Sequence, residues 1–185
     1  MTQDTNTEWK VGDVVNEKGE IFIGTWTPKD RQGNSLGQVF DLFAAKRDVQ
    51  TLNTFNALAE YVANMENGFN HLQGNTAPDK VLYDALQNGS YQGEYFIPTY
   101  DIAIDHLYEN QDKFVNDSRL VAHTTSASDP VSHIYATSSE RAVNTPFVYT
   151  LNMVDNRTEK SIHNQVIHKD RGVLSARLVR AQRRR

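Results

Sequence analysis

The sequence contains no cysteine. That one absence removes disulfides, zinc–thiolate centres, iron–sulfur clusters and cysteine nucleophiles together. No apolar stretch approaches the 18 residues or so that a membrane-spanning helix needs, so a membrane role is not expected. The polar opening from Met1 to Lys10 has no apolar h-region, and a classical secretion signal is not expected either. There is no Gly-x-Ser-x-Gly elbow to raise Ser138 to a nucleophile. There is no Walker A or dinucleotide glycine pattern, and no internal repeat. With no such pattern to carry a reaction or hold a cofactor, the expectation is a protein that is not an enzyme and needs none.

What is present is a globular composition. A hydrophobic fraction of 38% against 23% charged residues supplies a core for a chain of this length. Charge is unevenly spread. Lys169 to Arg185 holds seven basic residues and one acid, a net +6, which leaves −10 on the rest of a chain of net −4. An acidic body argues against a dedicated nucleic-acid binder. The basic end reads first as a solvated run, and second as a contact for an acidic partner surface.

Along the chain, residues 1–10 form a polar arm. Val11 to Trp26 reads as a hairpin turning at Asn16-Glu17-Lys18-Gly19, with Ile21-Phe22-Ile23 as the return. Residues 27–38, with Pro28, Gly33, Asn34 and Gly37, read as a surface loop. Val39 to Phe43 is a short buried strand or turn. The spacing of Phe55, Leu58, Val62, Met65 and Phe69 predicts a helix from Thr54 to Asn70, capped by Thr51 or Asn53. Val81, Leu82, Ala85 and Leu86 predict a second helix ending at Asn88-Gly89. Pro98 and Thr99 start a third, with Ile104, Leu107 and Tyr108 on its apolar edge. Residues 110–134 read as a long loop. In the last fifty residues, Phe147, Tyr149, Leu151 and Met153 alternate onto one strand face. Asp155-Asn156 suits a reversal, and Val173 to Val179 is rich in strand formers. The ends, 1–9 and 182–185, lack the apolar content to bury themselves, so partner chains are expected to hold them.

Four stretches follow one another in an order that resembles a family. They are Val11-Gly12-Asp13, Ile97-Pro98-Thr99 ahead of a helix ending Leu107-Tyr108, Tyr135-Ala136-Thr137-Ser138-Ser139-Glu140, and Ala176-Arg177-Leu178-Val179-Arg180-Ala181. The order is similar to the C-terminal lectin-like domain of bacterial collagen-like adhesins, found in bacteria and phages. Ala136 stands where that family has Trp, and Leu178 where it often has Pro. The resemblance implies an α+β, C-type lectin-like fold over residues 11–181, with two main helices and a curled antiparallel sheet. It leaves 182–185 as a basic tail. It also implies a ligand-binding or adhesive role without catalysis: a homo-oligomeric virion component, or a secreted adhesin module meeting a surface glycan. An intracellular enzyme of unknown type, which would need a polar pocket with shifted pKa values, is the alternative from another class. The motif residues of the resemblance are Tyr135, Ser138, Glu140, Arg177 and Arg180.

These residues also invite a direct reading. A carboxylate and a guanidinium pair bidentately, so Glu140 is expected to clamp Arg177 or Arg180. Arg183, Arg184 and Arg185 are the candidate partner contacts. Of the six histidines, only His163 and His168 lie close in sequence. Metal sites need three or four convergent ligands, so no metal is expected. The Glu-Pro-Asn or Gln-Pro-Asp loop and Trp-Asn-Asp strand of calcium-dependent lectins are absent, which removes that mode of sugar binding.

Overall fold

The structure, a computed structural model, describes residues 8–50, 54–69, 74–120, 134–142, 145–153, 165–170 and 174–184. The expected Asp155-Asn156 turn, the helix caps at Thr51 and Asn53, Val173 and Arg185 lie outside these residues.

The described part is mixed α+β, as expected, and carries two sheets. The first is built from β1 (Ile21–Trp26), β2 (Phe40–Ala44) and β8 (Val179–Arg183), in the order β1-β2-β8, all antiparallel. The hairpin strand and the closing strand therefore share a sheet, with β2 between them. The second sheet holds β3 (Val49–Gln50), β4 (Ile134–Glu140), β5 (Phe147–Asn152), β6 (Gln165–His168) and β7 (Ser175–Ala176), in the order β3-β7-β4-β5-β6. Among the described strand pairs of this sheet, β4–β7 alone is parallel.

Three helices lie beside the sheets. The first, α1 (Phe55–Asn64), begins at Thr54, whose hydroxyl accepts from the Ala57 amide at 3.1 Å. It stops well before Asn70. At Met65 the backbone becomes extended, and Gly68 folds back across the helix end, where a side chain would meet the Val62 carbonyl at 1.8 Å. Phe69 then leaves α1 altogether, its amide bonding the Tyr95 carbonyl at 2.7 Å. The second, α2 (Pro78–Asn88), stops where expected, at Asn88-Gly89. Pro fits a first-turn position, and Gly89 takes the left-handed end at φ 77°. The third, α3 (Tyr100–Ile102), is capped by Thr99, whose hydroxyl accepts from the Ile102 amide at 3.2 Å. It widens into a π-helical turn at Ala103–Tyr108. Among the described residues no helix is long and apolar enough to cross a membrane.

Two apolar clusters follow from this layout. The larger gathers Ile21, Ile23, Phe40, Leu42, Leu82, Ala85, Ile102, Leu107 and Val179 with Tyr135, Leu151 and Met153. The smaller sets Phe55, Leu58, Ala59 and Val62 of α1 against Ile97, Ala136, Val148, Leu174, Ala176 and Leu178. β4 and β5 thus bury side chains from both faces. On the alternating positions expected to share a face, Leu151 and Met153 join the larger cluster while Phe147 and Tyr149 are only half-buried; Val148, on an in-between position, joins the smaller cluster.

Two boundaries change. The closing stretch is not one strand. β7 pairs with β3 and β4, then Arg177 and Leu178 carry the chain across to β8. Gln182 and Arg183 pair with Asp41 and Phe40, so they belong to the sheet and not to a separate tail. At the other end, Trp9 is no free arm residue. Its ring stands edge-on to Phe43 at 5.1 Å and lies 5.8 Å from Phe22, covering the outer face of the first sheet.

Candidate functional site

The expected clamp between Glu140 and Arg177 or Arg180 does not form. Each of the three finds another partner. Glu140 takes the Lys169 ammonium, and a side chain on Gly74 would fall within 3.2 Å of that carboxylate. Arg177 takes Asp48, and Arg180 takes Glu20.

Arg177 has no exposed surface. Its Nε donates to Asp48 Oδ1, and the Tyr135 hydroxyl donates to Asp48 Oδ2. Its two Nη atoms donate to the Ser118 carbonyl, each at 3.0 Å, and to the Ala45 and Arg119 carbonyls at 3.1 Å. The guanidinium also lies 5.1 Å from the centre of the Phe114 ring. Two of the motif residues, Tyr135 and Arg177, therefore meet in one network through an aspartate that no motif contains. Ser138 is buried in β4, where its amide donates to the Pro98 carbonyl at 2.9 Å. These contacts hold the fold together and leave no group presented to a ligand.

The open site lies elsewhere. A cleft of about 510 Å³ is lined by Asn16, Glu17, Lys18 and Glu20 on one side, and by Asn67, Tyr95 and Arg180 on the other. That volume is within the range of small-molecule sites. Four short structural facts put these residues together. The Asn16–Gly19 turn closes with the Gly19 amide on the Asn16 carbonyl at 3.0 Å. Gly19 sits at φ 77° against the Lys46 side chain, a conformation that suits glycine. The Tyr95 amide bonds the Asn67 carbonyl at 2.8 Å. β8 presents Arg180 on the outer face of the first sheet, 4.3 Å over the Phe43 ring.

Glu20 is the centre of the cleft floor and is almost wholly buried. Arg180 grips it bidentately, Nε to Oε1 at 2.7 Å and Nη2 to Oε2 at 2.6 Å. The Tyr95 hydroxyl and the Asn16 amide complete its shell. Burial pushes the Glu20 carboxyl up, but the hydrogen bonds from Arg180, Tyr95 and Asn16 and the charge of Arg180 outweigh it and hold the group below its ordinary value. Burial, and then the carboxylate beside it, push the Tyr95 phenol well up, so it stays a hydrogen-bond donor. Next to this network, Tyr91 accepts from the Ala181 amide at 2.8 Å and donates to the Glu94 carbonyl at 2.7 Å.

A third buried carboxylate, Asp79 on the first turn of α2, stands apart from the cleft. It accepts from the Lys29 amide at 3.3 Å and from the Thr99 and Trp26 side chains. Burial, with a contribution from Asp101, pushes it up to about 6 despite those bonds.

Of the expected partner contacts, Arg183 lies in β8. Arg184 is half-exposed, with its Nε 4.0 Å from Asp41. His106 is mostly buried against the Ile23 carbonyl, 3.1 Å away, and burial pushes its imidazole down. His168 lies beside Asp170, while His71, His123, His133 and His163 fall outside the described residues. Among the described residues no three His, Asp or Glu side chains are grouped to hold a metal ion.

Glu20, Asp48, Tyr95 and Asp79 were all missed by sequence reasoning. For the three carboxylates the one signal is an acid bordering an apolar run, as Glu20 precedes Ile21-Phe22-Ile23; such an acid needs a cation or a set of donors when the run is buried. Compared with family models, with curated proteins and with solved structures, the chain finds no match.

Proposed function

We propose that this chain is a non-enzymatic, lectin-like binding and assembly module, displayed on a virion surface. The observation that carries the binding part is the Glu20 shell. The carboxylate is saturated by Arg180, Tyr95 and Asn16, and its lowered pKa keeps it ionised. A group fixed in this way is a poor proton shuttle at neutral pH, because general acid–base work needs a pKa near the operating pH. Its role is to hold Arg180, Tyr95 and Asn16 at the cleft in a geometry set before any ligand arrives.

The virion setting rests on the ordered motifs and their resemblance to adhesin-type domains. The charge asymmetry adds to it. Lys169, Arg177 and Arg180 are spent on partners within the chain, but Arg183 and Arg184 are exposed and suit contact with an acidic surface of another copy. Mass spectrometry of purified particles, cell lysate and culture medium tests the reading. The chain is expected in particles at a copy number comparable with other structural proteins. Recovery only from the medium would move the reading to a secreted adhesin module, and recovery only from the lysate would defeat both.

A further inference from the structure

We infer that the end of β8 in one copy of this chain docks in a groove along α1 of another copy, where Arg183 and Arg184 meet Glu60 and Tyr61. The inference rests on the reading of the chain as an assembly module and names the acidic surface that the basic end meets.

The groove comes first. It holds about 490 Å³ and is lined, among the described residues, by Ala57, Glu60, Tyr61, Asn64 and Met65. Ala57, Tyr61 and Met65 recur at four-residue steps and form one ridge, and Glu60 and Asn64 form the next. α1 carries no basic residue, so nothing on the helix neutralises Glu60. Tyr61 is 51% exposed and is the one aromatic side chain so open among the described residues. Neither Glu60 nor Asn64 bonds another side chain among the described residues.

The occupant follows from what stands open at the other surface. Arg183 is exposed and makes no ion pair among the described residues, while Arg184 reaches Asp41 only at 4.0 Å. Between them and solvent lies Val39, 39% exposed, whose carbonyl accepts from the Arg184 amide at 3.1 Å. This end therefore offers two guanidinium groups beside an open valine. The groove offers a carboxylate, a phenol ring, an amide carbonyl and the Met65 thioether. An arginine suits that set, because its plane stacks on an aromatic ring while its donors reach a carboxylate. The fold already seats arginine in this manner twice. Arg180 grips Glu20 and lies 4.3 Å over Phe43, and Arg177 grips Asp48 and lies 5.1 Å from the centre of Phe114.

Val39 and Tyr61 are two of the four large apolar side chains exposed among the described residues, and one contact would cover both. The two surfaces do not meet within a chain. β8 is fixed by its pairing with β2, and α1 by its packing into the smaller core. A second copy is what brings them together. Because donor and acceptor surfaces differ, the contact can repeat from copy to copy. Asp101, Asp105 and Glu109 form another exposed acidic row, but the aromatic ring beside it, Tyr100, is already packed on Tyr149 at 5.3 Å.

The test is sedimentation velocity of the full chain. A contact of this size binds weakly, so the range runs from about 10 μM to about 1 mM. The mean mass should rise with concentration, and half-molar salt should reduce the rise. Tyr61→Ala should weaken association about tenfold, and Asp105→Arg should leave it unchanged. Two variants then decide the matter. Glu60→Arg with Tyr61→Ala spoils the groove but keeps the arginines. Arg183→Glu with Arg184→Glu spoils the arginines but keeps the groove. Each alone should sediment as a monomer, and their equimolar mixture should associate. The inference is overturned if the parent is monomeric at about 1 mM, if the mixture stays monomeric, or if Asp105→Arg weakens association as Tyr61→Ala does. A chain found in particles whose association ignores these positions would sink this inference alone. A chain that associates through them yet is absent from particles would sink the virion reading alone.

Discussion

Arg177 and Asp48 lie 129 positions apart in the chain and pair with both side chains out of contact with water. Removing two charges from water is expensive, and a single pair rarely recovers the cost. Here the guanidinium also satisfies the carbonyls of Ala45, Ser118 and Arg119, and the carboxylate is met by Tyr135. The pair therefore ties four segments to one point. Replacing Arg177 with Met leaves Asp48 buried without its cation and leaves those carbonyls without their donor. Urea unfolding should show a loss of about 3–5 kcal/mol. The double variant Asp48→Ala/Arg177→Met should be less damaged than Arg177→Met alone, because no unpaired charge remains. Equal or greater damage in the double variant would show that the carbonyl contacts, not the ion pair, carry the effect.

Leu58 tests the smaller core. It is fully buried beneath α1, among Ile97, Ala136 and Val148. Leu58→Ala removes buried methyl groups and leaves a cavity, so a loss of about 2–5 kcal/mol is expected. Tyr61→Ala, one turn along on the exposed side of the same helix, should cost under about 0.5 kcal/mol. Similar losses at the two positions would mean that the face assignment is wrong.

These cases mark what the sequence could show. Local signals were readable: the apolar stripe of α1, Gly89 at the end of α2, and Thr99 capping α3. Where two elements compete for one residue, they were not. Phe69 continues the α1 spacing, yet its backbone belongs to Tyr95. Val173 to Val179 reads as one strand, yet in its described part β7 stops at Ala176 and β8 starts at Val179, and between them Arg177 reaches into the interior to Asp48. The motifs pointed to Glu140, Arg177 and Arg180 as important, and each is indeed paired. Their partners Lys169, Asp48 and Glu20 are set by tertiary folding, which no spacing rule encodes. The cleft was illegible for the same reason: its walls come from four distant stretches.

Asp79 gives the protein a pH dependence of defined sign. Its folded pKa, about 6, lies above its ordinary value of 3.8. The folded state therefore binds this proton more tightly than the unfolded state does. The resulting stabilisation is complete below about pH 4 and is lost as the pH rises through about 6. The shift corresponds to roughly 3 kcal/mol. Asp79→Asn has no proton to lose. Its stability relative to the parent should rise by that order between pH 4 and pH 7, read from urea midpoints at each pH. A constant difference across the range would refute the assignment. Glu20 works oppositely. Its pKa is held below the ordinary value, so its contribution is present above that value and fades as the medium becomes more acidic still.

The C-terminus separates stability from assembly. Residues 182–185 read from the sequence as a basic tail, but Gln182 and Arg183 pair with β2, and the Arg184 amide bonds the Val39 carbonyl at 3.1 Å. Ending the chain at Ala181 removes these backbone bonds from an edge strand. At about 0.5–1.5 kcal/mol for each bond, the loss should reach roughly 1–3 kcal/mol, and Tm should fall by about 2–4 °C for each kilocalorie. Charge alone should behave differently. Arg183→Gln with Arg184→Gln keeps every backbone bond and gives up only exposed charge, which contributes little to stability. That variant should unfold within about 0.5 kcal/mol of the parent. If the basic end docks on acidic surfaces of neighbouring copies, it should also enter particles less efficiently, measured by protein content after purification. Normal incorporation of the neutralised variant would remove the docking role from these arginines. A truncated chain that unfolds like the parent would show that β8 ends earlier than Arg183.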